Sequence, residues 1–160
     1  VSIYVFVYGT LRAGEINDLA RAAARRGLPA PRLAGRGTVR GTLYDFGDWP
    51  GLLPDGRGRD IVGDVYEAGE AGAGEALLAL MDEIEEIDPA GGSCFLRRRV
   101  RVWAEPPAGG GVAAGFLDCF YYPIDPAWTA EAVATPATDW IAYRHGRDAT
   151  TGQDEATSQD

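Results

Sequence analysis

The sequence has no lysine; all 15 of its basic residues are arginine. That excludes Schiff-base lysine chemistry and the lysine of a phosphate-binding P-loop. It has one histidine, His145, which rules out multi-histidine metal sites and leaves Ser-His or Cys-His catalysis a single candidate base. The serines are Ser2, Ser93 and Ser158, and none sits in a nucleophile elbow. Cys94 and Cys119 make neither a disulfide framework nor a zinc site. No apolar run approaches the roughly 20 residues a membrane helix needs. The first ten residues lack a basic n-region and a small-residue cleavage pattern, so a secretory signal is not expected there and cytoplasm is the default location. If the protein is an enzyme, carboxylates, tyrosines, arginines and backbone amides must do the chemistry.

Positive charge is also scarce. Fifteen basic against 24 acidic residues leave a net charge of -9. A surface of that sign repels phosphate backbones and anionic lipid, so neither nucleic acid nor a membrane is expected as partner. The 160 residues, 46% hydrophobic, suit one domain with a substantial core. We expect a single domain over residues 1–147. Residues 148–160 are acidic and poor in apolar side chains and read as a disordered tail.

Between these limits the chain alternates apolar runs and turn signals. IYVFVY, Ile3 to Tyr8, reads as a buried strand that stops at Gly9-Thr10. Asn17 is a candidate N-cap for a helix over Asp18 to Arg26, closed by Gly27. Strands are expected over Leu33 to Phe46, Ile61 to Tyr66, Phe95 to Ala104 and Val112 to Tyr122. The stretch Gly47 to Asp60 reads as a loop. A helix is expected over Glu75 to Ile87, stopped by Pro89, and a short one over Thr138 to Arg144. The order β-α-β-β-α-β-β does not alternate as a doubly wound parallel sheet would. It fits an α+β fold: a small mixed or antiparallel five-stranded, barrel-like sheet with two to three helices packed outside.

The most informative helix is ALLALMDEIEEIDP. At about 100° per residue, Leu77, Leu80, Met81, Ile84 and Ile87 form one apolar arc. Asp82, Glu83 and Glu86 fall on the opposite, solvated side. Glu85 does not; it lies about 80° from Leu77, between Met81 and Leu78. Desolvation raises a carboxyl's pKa, as a general acid/base requires. A structural alternative is a boundary ion pair with one of Arg97 to Arg99. The turn VYGTLRAG offers a second feature. Gly9 frees the backbone there, so the amides of Gly9, Thr10 and Leu11 can converge on an oxyanion or a carboxylate; the alternative is an ordinary strand end.

Taken together, these segments resemble the gamma-glutamylcyclotransferase family, in its gamma-glutamylamine cyclotransferase type. YGTL matches that family's YGSL or YGTL signature. Met81-Asp82-Glu83-Ile84-Glu85 stands at its LDxxE positions. Phe95, Arg97, Val100 and Val102 stand at YxRxxVxV, GTLYDFGDWPGL at GxLYdxGxxPg, and VGDVY at vxGevY. The resemblance runs from about Tyr4 to Tyr122. Three departures stand out: Glu86 replaces the family's glycine after the acid, Phe95 replaces its tyrosine, and IDPAGGSC is a longer connection.

The resemblance implies intramolecular attack of a γ-glutamyl amide's α-amine on its γ-carbonyl. The products are 5-oxoproline and the free amine, with no water, cofactor or metal consumed. It places the general acid/base on Glu85 and the substrate-binding loop on Tyr8, Gly9, Thr10 and Leu11. Specificity for the leaving group is expected in the loops Gly47 to Asp60 and Pro89 to Ser93. Trp49-Pro50 either lines the pocket mouth or caps the core. Tyr121, Cys119 and His145 read as structural, and Asp139-Trp140 as the anchor of the last helix. A competing reading is a non-enzymatic small-molecule binding module of the same fold, which needs no acid at position 85. Another carboxylate-based acid/base enzyme is a third.

Overall fold

The computed structural model describes residues 2–106 and 114–157, from residue 150 on by their backbone alone. Five strands form the body: β1 (Ile3–Val7), β2 (Arg32–Asp45), β4 (Arg59–Gly69), β5 (Arg98–Glu105) and β6 (Gly115–Tyr121). β2 pairs with β4, β4 with β1, β1 with β6, and β6 with β5, while Arg36 to Thr38 of β2 pair back onto Trp103 to Glu105 of β5. The ring is therefore closed and removes the exposed edges a five-stranded sheet would otherwise carry. Only the β1–β6 contact among these is parallel, so the barrel is mixed, as expected.

Closure depends on glycines in β2. A Cβ on Gly35 would lie 2.2 Å from the Glu105 carbonyl oxygen, and one on Gly37 would lie 2.4 Å from Val102 Cγ1. Any side chain at either position would hold β2 and β5 apart. Beyond Gly41 the same long strand leaves the barrel. There it pairs with β3 (Pro50–Pro54) on one side and β7 (Val133–Thr135) on the other.

Strand alternation divides the core in two. Phe6 and Tyr8 join Leu43, Ile61, Val65 and Val102 in one cluster, which Trp140 completes with no exposed surface. Val5 and Val7 face the other way, toward α1 (Leu19–Arg25) and α2 (Ala71–Ile84), where Leu19, Ala23, Leu77 and Met81 cover them. One strand thus carries both cores, and its end falls where they meet.

Several boundaries differ from the sequence reading. The N-cap of α1 is Asp18, whose carboxylate accepts from Ala20 N and Arg21 N, at 2.9 and 3.3 Å. Asn17 instead donates to Thr10 Oγ1 at 3.4 Å. A carboxylate also gains from the helix dipole, which an amide does not. The expected loop over Gly47 to Asp60 contains β3, and a short 3-10 helix (Pro126–Glu131) precedes β7. Phe95 lies outside β5, in an isolated bridge to Ile124. The expected strand start at Val112 lies outside the described residues.

The last helix, α3 (Trp140–Thr157), runs well past Arg144 and through most of the stretch read as a disordered tail. Polarity argues against burial there but not against helical backbone, and Gln153, Glu155 and Ala156 are good helix formers. No helix among the described residues is long and apolar enough to cross a membrane.

Candidate functional site

A cavity of about 1150 Å³ opens where β1, the end of α2, the start of β3 and α3 meet. Its wall includes Tyr8, Gly9, Thr10, Leu11 and Glu85, so the fold brings together the five residues singled out in two distant segments.

Glu85 is the C-cap of α2, not a residue of its interior. The helix ends in a Schellman turn: Ile87 N–H donates to Asp82 O at 2.9 Å and Glu86 N–H to Glu83 O at 3.2 Å. That turn needs a left-handed residue, and Glu86 supplies it with φ of 55°. The family pattern has glycine at this position because glycine takes that conformation without strain. Ile84 and Ile87 pack against the core on either side of the turn. Glu85 is thereby fixed at the cavity wall, half-buried.

No hydrogen bond or ion pair reaches the Glu85 carboxyl from the described residues. The arginines expected as its ion-pair partners are engaged elsewhere. Arg97 pairs with Asp82 at 2.9 Å, and Arg99 lies over the Phe120 ring at 5.3 Å. Arg98 donates to the Arg97 carbonyl oxygen at 3.0 Å. Burial without compensation pushes the Glu85 carboxyl up to about 7. Its charge in turn helps to raise Tyr8, Tyr122 and Cys94, whose main cause is their own burial.

The Tyr8–Leu11 loop of the same cavity is held rigidly. The Tyr8 hydroxyl donates to Tyr122 O at 2.6 Å and accepts from Leu52 N–H at 3.1 Å, so it joins three segments of chain. The carbonyls of Gly9, Thr10 and Leu11 each accept a backbone N–H, from Arg12, Asn17 and Leu19, all at 3.1 Å. Their own N–H groups have no acceptor among the described residues. Three consecutive unpaired donors on a cavity wall are a ready site for anionic or carbonyl oxygen. Gly9 is required by space: a Cβ there would sit 2.7 and 2.9 Å from Cγ and Cδ of Pro50.

The far end of the loop is tied by Arg12, which the sequence reading passed over. It is 2% exposed and meets Asp64 of β4 at 3.2 Å and Asp139 at 3.0 Å. Asp64 also accepts Ala13 N–H at 3.0 Å, and Asp139 caps α3 through Ile141 N–H at 3.0 Å. A buried arginine between two carboxylates thus locks loop, barrel and last helix to one another. An arginine directly after a buried strand and its turn was the available signal.

Of the remaining residues, Trp49 and Pro50 do line the cavity, as do Gly91, Gly92 and Ser93 from the long connection. Phe95, at the family's tyrosine position, also lines it and brings no hydroxyl. Cys94, Trp128 and His145 complete parts of the wall. Tyr121 and Cys119 are buried in the core, as read.

Fold and site together define a cavity on a closed mixed barrel, lined both by a partly desolvated carboxyl and by a loop of amides that have no partner among the described residues. Residues 5–142 match the sequence profile of the family described as gamma-glutamyl cyclotransferase, AIG2-like, and the chain belongs to that family. It is 28% identical over 142 residues to gamma-glutamylaminecyclotransferase of Mus musculus, covering 86% of this chain and 83% of that one. It is 30% identical over 141 residues to gamma-L-glutamyl-butirosin B gamma-glutamyl cyclotransferase of Niallia circulans, covering 88% of this chain and 76% of that one. Among solved structures, the AIG2-like protein of Mus musculus superposes with a TM-score of 0.59 at 24% identity, over 79% of this chain and 82% of that one. YkqA of Bacillus subtilis superposes at 0.62 with 18% identity, over 93% of this chain and 43% of that one; these two likenesses concern the fold.

Proposed function

We propose that this protein is a γ-glutamyl cyclotransferase that converts a γ-glutamyl amide to 5-oxoproline and the free amine. The observation that carries the reading is Glu85, a half-buried carboxyl with no partner among the described residues, in the wall of the cavity that Gly9, Thr10 and Leu11 also line. Family membership and the names of the relatives support the reaction class.

The chemistry needs little from the protein. The α-nitrogen of the substrate bonds to its own γ-carbonyl carbon, and the bond from that carbon to the leaving nitrogen breaks. Because nucleophile and electrophile share one molecule, the tasks are folding the chain back on itself and moving a proton. Glu85, as carboxylate, takes the proton from the attacking ammonium. As carboxylic acid, it returns that proton to the leaving nitrogen. A group titrating near 7 serves both steps at neutral pH. The amides of Gly9, Thr10 and Leu11 hold the glutamyl carboxylate or the oxyanion that develops on the carbonyl. Tyr8 acts as the rivet of that loop, since its hydroxyl is already used in both directions. No net water or cofactor enters the balance.

The test is to incubate a panel of γ-glutamyl amides with wild type and Glu85→Gln and to score 5-oxoproline by mass spectrometry. Product from wild type, with turnover at least about 100-fold lower in the variant, is expected. Equal activity in the two removes Glu85 from the mechanism. Ligand binding without product from any amide favours a binding module instead.

A further inference from the structure

We propose that Tyr122 is a positioning residue for the cyclisation. Its backbone carbonyl holds the amide loop and its phenol holds the end of α2, so it sets how the amides of Gly9 to Leu11 stand relative to Glu85. The inference rests on the cyclotransferase reading and deepens it, from the groups that act to the side chain that aligns them.

Glu85 is placed through its backbone, since no hydrogen bond or ion pair reaches its carboxyl from the described residues. Where the carboxyl stands therefore follows from the turn that ends α2. Asp82 closes that turn: its carbonyl oxygen accepts Ile87 N–H at 2.9 Å. A displacement of Asp82 carries the whole turn, and Glu85 within it.

The Asp82 carboxylate is held from two sides. Arg97 donates to one oxygen at 2.9 Å, and the Tyr122 hydroxyl donates to the other at 2.5 Å. The same hydroxyl stands 3.4 Å from the carbonyl oxygen of Leu78, one turn back. The two partners are not equivalent. The Arg97 side chain is 41% exposed on a flexible stem, and an exposed pair of that kind constrains little. Tyr122 is buried, and its ring shares a core cluster with Val7 and Leu11 on one side and with Leu78 and Met81 of α2 on the other. A short bond from a packed phenol to a carboxylate is strong and directional.

The other polar group of the same residue reaches the loop. The Tyr122 carbonyl oxygen accepts the Tyr8 hydroxyl at 2.6 Å, and Tyr8 directly precedes Gly9. Two hydrogen bonds and one residue thus join Tyr8 to Asp82. The amides begin one residue beyond one end of this path, and the acid lies three residues beyond the other. Cyclisation needs both on one folded glutamyl chain at once, and a displacement of about 1 Å can cost about 100-fold in rate. Phenylalanine at position 122 would fill the same space and still hold Tyr8, whose partner is backbone, but it would release α2.

The test compares wild type, Tyr122→Phe, Asp82→Ala, Asp82→Asn and the double variant Tyr122→Phe/Asp82→Ala by 5-oxoproline release from γ-glutamyl amides. Rates are taken at a temperature where circular dichroism shows every protein folded. Tyr122→Phe is expected to lower kcat about tenfold and to change KM less than about twofold, because the loop stays in place while the acid is misaligned. Asp82→Ala should lose about as much, and the double variant no more than either, since both changes remove one bond. Asp82→Asn keeps an acceptor oxygen for the phenol and should recover most of the rate. A hydrogen bond that only stabilised the fold would lower the melting temperature and leave kcat of the folded enzyme where it was. Unchanged kcat in Tyr122→Phe, or single losses that multiply in the double variant, overturns this inference and leaves the cyclotransferase reading standing. No 5-oxoproline from any amide with folded wild type overturns that reading, and this one with it.

Discussion

Arg97 pairs with Asp82 at 2.9 Å and not with Glu85, three residues further along, whose carboxyl has no cation partner among the described residues. The Tyr122 hydroxyl holds the other oxygen of the same aspartate at 2.5 Å. Asp82 therefore absorbs the positive charge that a structural account of Glu85 would have needed. The neighbouring acid remains uncompensated in the cavity wall.

That arrangement sets a pH dependence. With burial pushing Glu85 up to about 7, kcat/KM should rise with pH along an acid limb of apparent pKa about 7 and level off above it. The profile of initial rates against pH checks this. A limb near the ordinary carboxylate value of 4.5 would remove burial as the tuning device.

The same shift predicts a stability effect of opposite sense. A folded carboxyl with a raised pKa keeps a proton that the unfolded chain releases. Glu85 thus costs nothing below about pH 4.5, and its cost grows as pH rises to about 7. Glu85→Gln removes it; the shift corresponds to about 3 kcal/mol, which solvent screening of the half-exposed side chain reduces, so at pH 8 the variant should gain about 2 kcal/mol relative to its difference from wild type at pH 4. Urea unfolding of both proteins at the two pH values measures this. A difference that does not change with pH contradicts it.

Glu86→Gly should raise the melting temperature. Glycine takes the left-handed turn without strain, which is expected to stabilise by about 0.5–1 kcal/mol and to raise the midpoint by a few degrees. Thermal unfolding followed by circular dichroism is the measurement. A lower midpoint would mean that the Glu86 side chain makes a stabilising contact that offsets its strain.

Gly9→Ala should damage both loop and stability. The new methyl would meet the Pro50 ring at 2.7 Å, and a proline ring cannot swing aside. A cost of about 1–3 kcal/mol is expected, together with a raised KM as the amides move. Calorimetry and steady-state kinetics read the two effects separately. An unchanged KM would detach the loop from substrate binding.

Arg12→Ala leaves the buried Asp64 without its cation, which should cost about 3–5 kcal/mol. Because Arg12 joins the loop to α3 through Asp139, proteolysis of the last helix should also quicken. Denaturant unfolding and timed digestion test the two parts. A mild loss with unchanged digestion would show that the triad is dispensable.

Much of the fold was legible locally. IYVFVY is a strand because its side chains are β-branched and aromatic, and the apolar arc from Leu77 to Ile84 marks the buried face of α2. The odd position of Glu85 on that helix was visible from periodicity alone. Other features depend on partners distant in sequence. β3 and β7 were missed because Pro-Gly-Leu-Leu-Pro and Val-Ala-Thr carry weak strand signals and are strands only by pairing with the outer half of β2. Glu85 was read inside a helix, whereas the chain turns left-handed at Glu86, because a non-glycine residue at that position gives no local stop signal.

The sequence by itself determined which side chains were available for chemistry: no lysine, one histidine, and one carboxylate out of step with its helix. Hydrophobic period and residue type are local quantities, so the order and character of the main elements follow from them. The tertiary structure alone decided that Glu85 has no cation partner among the described residues, that the amides after Tyr8 share its cavity, and that α3 contributes His145 and its arginines to the wall. These are relations between segments up to about 140 residues apart, set by how the barrel closes, where Arg12 ties its end and which carboxylate claims each arginine.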